Sequence, residues 1–281
     1  MPPTTTESKF TSDGMDTKAI RALNLPHPPI FPSKLEEREW LKFRLAQAFR
    51  VFGHLGYDEG VAGHITMRGK HFSLIQPEDL LLVDHHGQIQ DESGPVRLLN
   101  TAAFMIHSAI HAARPDVNCA AHSHSVYGRA FSTLGRELEP LTQDACAFYE
   151  DHVVYKSYGG VVLEEEEGQN IAKLLGNKKA AILQNHGLLV ATGTIEATVH
   201  FYIALEKSCQ VQLMAEAAAS SRGARPIKVA HEDAIHTWKT VGSAMAGWFS
   251  AFPQFQALEK REGVRFKFSS ETKLPALSAR L

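Results

Sequence analysis

Helix and strand signals alternate along residues 33–221 of this chain, and that alternation limits the folds it can adopt. A capping box of Ser33 and Glu36 begins the first helix, and Thr194 precedes a long helix that reaches about residue 219. Between them lie short apolar runs typical of strands, at residues 79–84, 117–121, 153–155, 180–184 and 188–190. Alternating elements of this kind predict one α/β domain in which helices cover a sheet.

The two ends of the chain differ from this central region. Residues 1–32 are polar or proline-rich, and we expect a disordered or strap-like arm there. Residues 222–281 are predicted to form a helical C-terminal extension. A single last helix is expected to contain Ala234, Trp238, Met245 and Trp248. The predicted organisation is therefore an arm, a domain spanning residues 33–221, and an extension.

The composition excludes several classes of protein. Hydrophobic residues make up 44% of the chain, which is enough for a substantial core and too many for a disordered protein. The formal net charge of −2 shows no basic excess, so no nucleic-acid partner is expected. No apolar run is long enough to cross a membrane, and no secretory signal is recognisable at the N-terminus. Three widely spaced cysteines fit reduced thiols, and we expect a cytoplasmic protein without a membrane partner.

Histidines at the ends of two predicted strands are the strongest chemical signal. His122 and His124 follow the run at 117–121, and His186 follows the run at 180–184. In an extended segment, residues i and i+2 point to the same side with their Cα atoms about 6.5–7 Å apart. Three neutral imidazole nitrogens suit a first-row divalent ion that keeps one or two positions open.

Each histidine also has an ordinary structural interpretation. An isolated H-x-H pair often only hydrogen-bonds backbone carbonyls, and it is the distant Asn185-His186-Gly187 segment that strengthens the metal hypothesis. His107 and His111 lie four apart on a predicted helix, and we interpret them as packing residues. Phosphate-loop, dinucleotide-binding, zinc-protease and serine-hydrolase motifs are absent, so those enzyme classes lose their main support.

Several segments together resemble the class II aldolase/adducin family, over about residues 37–217. These segments are residues 62–68, 112–117, 122–124, 158–160 and 183–188. The resemblance implies a three-layer α/β/α sandwich around a central, largely antiparallel β-sheet. It also implies a homo-oligomer, commonly a tetramer, with sites at subunit boundaries. His122, His124 and His186 fall on the family's metal-ligand positions.

The resemblance also indicates substrate-binding residues and three departures. Gly63 matches the family's G-N-x-S-x-R loop, but His64 replaces its asparagine, and of a phosphate-binding serine pair only Thr101 keeps a hydroxyl. The family's catalytic acid is replaced by Ala103, which cannot transfer a proton. The segment at residues 72–79 is shorter than the family's phosphate-holding loop. We therefore do not expect a simple sugar phosphate as substrate.

A replacement proton donor is to be sought in residues 143–151. The catalytic candidates there are Asp144, Tyr149 and Glu150. The competing interpretation is that these are ordinary polar residues at the edge of a strand, and the sequence favours that interpretation for each of them.

These observations predict a metal-dependent lyase that acts on a small hydroxy- or keto-substrate by aldol cleavage, epimerisation or decarboxylation. The expected ion is Zn²⁺, with Fe²⁺, Mn²⁺ and Co²⁺ as alternatives. One competing hypothesis is a non-catalytic adducin-like binding module with a cytoskeletal partner, supported by Ala103. A second is a non-haem-iron oxygenase, because a three-histidine centre in this fold can support other reactions.

Overall fold

A computed structural model of the chain describes residues 27–59, 71–93, 97, 99–156 and 165–274. Its α-helices are α1 (Lys34–Leu55), α2 (Thr101–Ala113), α3 (Val126–Ser132), α4 (Glu165–Leu175), α5 (Ile195–Ser220), α6 (His231–Val241), α7 (Ala244–Ser250) and α8 (Phe252–Glu262). Its strands are β1 (Cys119–Ser123), β2 (His152–Tyr155), β3 (Ala180–Leu183) and β4 (Gly187–Thr192). Short 3-10 helices occur at Phe72–Leu74, Pro77–Asp79 and Ala145–Phe148.

The four strands form one mixed sheet in the order β1-β4-β3-β2. β4 is antiparallel to both β1 and β3, whereas β2 and β3 are parallel. The parallel pair is joined through α4, since a parallel connection needs a crossover element. The predicted sheet is thus confirmed as α/β, with two antiparallel pairings and one parallel pairing among the described strands.

Helices cover both faces of the sheet. On one face, Ile182, Leu188 and Val190 pack with side chains from α1, α5 and α8. On the other face, Ala181, Leu183, Leu189 and Ala191 pack with side chains from α2 and α4. Successive residues of β3 and β4 therefore alternate between two apolar clusters, which explains why both strands are continuously hydrophobic.

Two sequence-based expectations about individual elements are wrong. Residues 79–84 form no extended strand pairing: Val83 makes only an isolated bridge with Ile89. The cause is a tight turn in which the Asp84 carboxylate accepts hydrogen bonds from the backbone N–H groups of His86 and Gln88.

The second wrong expectation is the single C-terminal helix, since the structure has three helices there, α6, α7 and α8. Ser243 caps α7 by accepting a hydrogen bond from the N–H of Ala246. Pro253 lies in the first turn of α8, where its missing N–H has no intrahelical partner to lose. These local start signals divide a stretch whose apolar periodicity alone suggested one helix.

The C-terminal helices pack on the rest of the chain through buried ion pairs. Arg50 donates from Nε and Nη2 to the two oxygens of Glu262, at 2.7 and 3.0 Å. Arg44 lies between Glu196 of α5 and Glu259 of α8, with closest N–O distances of 3.0 and 3.5 Å. A division between domain and extension at residue 222 remains a proposal.

The strap-like arm predicted for residues 1–32 lies mostly outside the described residues. Its described end contacts the other end of the chain, because Ile30 and Lys273 form an antiparallel bridge. Among the helices that the structure describes, none combines the length and apolarity needed to cross a membrane.

Candidate metal centre

Strand pairing brings the three predicted ligand histidines together. His122 lies in β1, His124 follows one residue after the strand ends, and His186 lies in the turn between β3 and β4. Because Ser123 of β1 pairs with Leu188 of β4, the end of β1 lies beside that turn. The ligand nitrogens of the three rings all lie within 4.8 Å of one another.

Hydrogen bonding determines which nitrogen of His122 carries the lone pair. Its Nδ1 lies 2.9 Å from the carbonyl oxygen of Leu188, and a carbonyl can only accept, so Nδ1–H donates. A neutral imidazole that donates from Nδ1 has its lone pair on Nε2. His122 is buried, and a backbone carbonyl that orients the ring in this way is a common outer partner of metal-binding histidines.

The turn that carries His186 has little freedom. Asn185 has a positive φ of 58°, a conformation that asparagine tolerates better than most residues. The N–H of His186 donates to the carbonyl of Leu183 at 3.0 Å, which closes the turn. At Gly187 a Cβ atom would lie 2.6 Å from the carbonyl oxygen of Ser123, so only glycine fits between the two strands.

The surroundings favour neutral rings at pH 7. Burial, and then the nearby His124, lower the pKa of His186 to about 4. Burial and the positive charge of Arg129 lower the pKa of His124, while Glu59 opposes that shift. Neutral imidazole is the form that binds divalent metals, so this donor set fits such an ion. Within the described ranges, no other three histidine, cysteine or acidic side chains converge in this way.

An ion pair lies beside the three histidines. An Nη2 nitrogen of Arg129, on α3, is 2.6 Å from Oε1 of Glu59, and both side chains are partly exposed. The Nε atom of Arg129 is buried and has no hydrogen-bond acceptor. Sequence reasoning missed both residues. Neither belongs to a short motif: Arg129 lies five residues after His124, in the middle of α3, and its partner Glu59 is 70 residues away in sequence.

The structure separates the predicted catalytic candidates from His186. Gly63 and His64 lie outside the described residues, and Thr101 is exposed in the first turn of α2. Asp144, Tyr149 and Glu150 precede β2, whereas His186 follows β3. Because β2 and β3 are parallel, these three candidates lie at the opposite end of the sheet from His186 within one chain. Tyr149 instead contacts His231 of α6, with 2.8 Å between Oη and Nδ1.

The helix that carries Ala103 lacks an acid facing the site. Ala103 is buried, and His107, one turn later, is half-buried, with its pKa lowered to about 4 by desolvation and then by His111. Nδ1 of His111 lies 3.0 Å from the carbonyl oxygen of Val117, as expected for a packing residue.

A cavity of about 790 Å³ lies between α1 and α2, along the edge of β1 that pairs with none of the described strands. Ala103 and His122 line one part of it, and aromatic and aliphatic side chains of α1 line another. Of the three site histidines only His122 reaches this cavity, so the cavity adjoins the candidate metal centre and does not enclose it.

Comparisons with known proteins agree with this geometry. Residues 43–213 match the family described as "Class II Aldolase and Adducin N-terminal domain". A Streptomyces roseochromogenus protein named 4-hydroxy-3-prenylphenylpyruvate oxygenase/4-hydroxy-3-prenylbenzoate synthase is 44% identical over 245 residues, covering 82% of this chain and 86% of that protein. Decarboxylase NovR of Streptomyces niveus is 42% identical over 249 residues, covering 84% and 90% of the two chains.

A solved structure supports the same assignment. The structure titled L-fuculose 1-phosphate aldolase from Glaciozyma antarctica is 43% identical and superposes with a TM-score of 0.76, covering 87% of this chain and 97% of that one. With a family match over more than half of its length, this chain belongs to the class II aldolase and adducin N-terminal domain family.

Proposed function

We propose that this protein is a metal-dependent decarboxylase acting on a small oxo acid. The observation that carries the proposal is the convergence of His122, His124 and His186, whose ligand nitrogens lie within 4.8 Å of one another. Zn²⁺ is the expected ion, with Fe²⁺, Mn²⁺ or Co²⁺ as alternatives. When bound, such an ion would supply positive charge that stabilises an oxyanion developing next to the breaking bond.

The buried methyl group of Ala103 favours decarboxylation over aldol cleavage. Aldol cleavage begins with removal of a hydroxyl proton, and Ala103 provides no base at the family's usual position. Decarboxylation of a 3-oxo acid needs no base to start, because the substrate is already an ionised carboxylate. The carbon–carbon bond breaks, CO₂ leaves, the electron pair forms an enolate, and a proton from water completes the product. The name of the 42%-identical relative, a decarboxylase, supports this choice.

Arg129 is the residue that we propose for binding the substrate carboxylate. Its charge acts on His124, and its buried Nε lacks an acceptor. Pairing with Glu59 holds the guanidinium at the edge of the site and leaves the planar group oriented for a second carboxylate.

The neighbouring cavity supports a substrate with an apolar or aromatic body. Its walls include Ala103, Phe104 and His122, together with aliphatic and aromatic side chains of α1. The name of the 44%-identical relative refers to two aromatic acids, which agrees with this substrate class.

An oxygenase is the second candidate function, since that same relative is named in part as an oxygenase. An adducin-like binding module is the third, because Ala103 removes the family acid. The two enzymes differ in dioxygen consumption, and the binding module would carry out neither reaction.

Metal loading tests the centre itself. We expect the purified protein to bind close to one equivalent of a divalent ion, and His122→Ala and His186→Ala each to lose it, because two imidazoles are a much weaker site than three. His86→Ala, at an exposed turn histidine, is the matched control and should keep the ion. Elemental mass spectrometry of the wild type and the three variants measures the bound ion. A wild type that takes up no ion would contradict the proposal.

Product analysis tests the reaction. With a panel of aryl and alkyl 3-oxo and 2-oxo acids, we expect metal-dependent CO₂ release from the 3-oxo acids without dioxygen consumption. We expect none from the 2-oxo acids, because their loss of CO₂ would leave an acyl carbanion with no carbonyl to accept the electron pair. An oxygen electrode run in parallel separates the alternatives: dioxygen uptake supported by Fe²⁺ and not by Zn²⁺ would instead show an oxygenase. Absence of both CO₂ release and dioxygen uptake across the panel would favour the adducin-like module.

Removal of the Arg129 charge tests substrate binding. Arg129→Met keeps an aliphatic side chain, and we expect KM for the acid to rise about tenfold or more, since charge-assisted hydrogen bonds are worth about 1.5–3 kcal/mol. Arg136→Met removes a comparable partly exposed arginine paired with Glu216 and should leave KM unchanged. Equal KM values for wild type and Arg129→Met would exclude this role.

Subunit assembly is expected to complete the site. Val126, Tyr127 and Leu134 are exposed apolar side chains at the two ends of α3, next to the histidines, and we propose that they face a neighbouring subunit. Light scattering should give a tetramer of four 31.0 kDa chains, and Val126→Asp should shift it towards smaller species. A monomeric wild type at micromolar concentration would contradict this arrangement.

A further inference from the structure

Two side chains of α5 hold the segment that carries His122 and His124. These are Tyr202 and Glu206, which lie one helical turn apart and therefore on the same face of α5. Neither is a member of the three-histidine cluster. We propose that Glu206, together with Tyr202, is a positioning residue that fixes His122 and His124 in the geometry needed to bind the ion, an inference that rests on the proposed metal-dependent function.

Glu206 is a buried carboxylate with three donors around it. Its Oε2 accepts from the Ser125 hydroxyl at 2.5 Å and from the N–H of Gly128 at 2.7 Å, and its Oε1 accepts from the N–H of Tyr127 at 2.9 Å. These N–H groups lie in the first turn of α3, where the helix itself offers no acceptors. The carboxylate therefore fixes the start of α3, directly after His124.

Tyr202 fixes the residue on the other side of His124. Its hydroxyl donates to the carbonyl oxygen of Ser123 at 3.0 Å and lies 2.8 Å from the Ser123 hydroxyl, which can donate in return. Tyr202 is fully buried, so these hydrogen bonds are shielded from water. Ser123 and Ser125 are thus both held by α5, and His124 lies between them.

Close packing prevents this segment from moving without moving the ligands. A Cβ atom on Gly128 would lie 2.5 Å from Cγ of Leu188 and 2.9 Å from Oε2 of Glu206, so α3 fits between β4 and α5 with no spare room. The carbonyl of Leu188 also orients His122. A shift of residues 123–128 away from α5 would therefore change the distances from His122 and His124 to His186.

The test compares metal affinity in variants that remove the hydrogen bonds and keep the volume. Glu206→Gln replaces one carboxylate oxygen by an NH₂ group, which cannot accept the hydrogen bonds that Ser125, Tyr127 and Gly128 donate. Tyr202→Phe removes the hydroxyl that contacts Ser123. We expect Glu206→Gln to bind Co²⁺ or Zn²⁺ about 10–100-fold more weakly than wild type, the range found when the outer partners of metal ligands are altered. Tyr202→Phe should weaken binding in the same direction.

A control on the same helix separates positioning from general stability. Glu196 is a buried carboxylate in the first turn of α5 that pairs with Arg44, about three helical turns before Glu206. Glu196→Gln should lower the stability of the protein and leave the metal affinity within about twofold of wild type. Competition with a chromogenic chelator gives the affinities, and the visible spectrum of the Co²⁺-loaded proteins reports the ligand geometry.

The outcomes distinguish this inference from the proposed function. Wild-type affinity and an unchanged Co²⁺ spectrum in both Glu206→Gln and Tyr202→Phe would overturn the positioning role, and so would equal weakening in Glu196→Gln. If Glu206→Gln does not fold, Ser125→Ala and Tyr202→Phe decide by the same criteria. If the wild type binds no ion, both proposals fail. Weakened affinity in the variants, with no CO₂ release by the wild type, upholds the positioning role and rejects only the reaction.

Discussion

The antiparallel pairing of β1 with β4 is the interaction on which the candidate site depends. It places Ser123 opposite Leu188, so that a segment near residue 123 and a turn near residue 186 become neighbours although they lie about 60 positions apart in sequence. The same pairing supplies the carbonyl that orients His122. A shift of this register by one residue would turn His122 to the other face of the sheet and separate it from the other two histidines.

The helices on the two faces of the sheet make different contributions to the candidate site. On one face, α2 and α4 build an apolar layer, and α2 presents Ala103, whose methyl group cannot ionise, to the cavity that His122 also lines. On the other face, α5 contributes both Tyr202, one of the large fully buried side chains of the described residues, and the carboxylate of Glu206. The three histidines therefore lie where a rigid sheet edge meets a helix rich in hydrogen-bonding groups, an arrangement suited to holding a fixed geometry.

Local signals in the sequence were sufficient for much of the fold and for the three histidines. Capping residues such as Ser33 and Thr194 determine where helices begin, and these signals act within a few residues, so they can be read directly. The C-terminal helices were misjudged because their apolar periodicity continues across breaks set by Gly242 and Ser243. Glu59, Arg129 and Glu206 could not be recognised because each depends on a partner at least 70 residues away. No short pattern reports such long-range contacts.

Gly187 and His186 are adjacent, yet different requirements act on them. Gly187 is needed because the backbone of Ser123 leaves no room for a side chain, whatever chemistry the protein performs. His186 is required only by the proposed metal site. If a related protein lost catalysis and kept only a binding role, substitutions at the position of His186 would be tolerated. Gly187 would still be required, because the fold depends on it. The two adjacent residues are therefore under different constraints. A relative that retains the glycine but not the histidine would be expected to keep the fold and to have lost the chemistry.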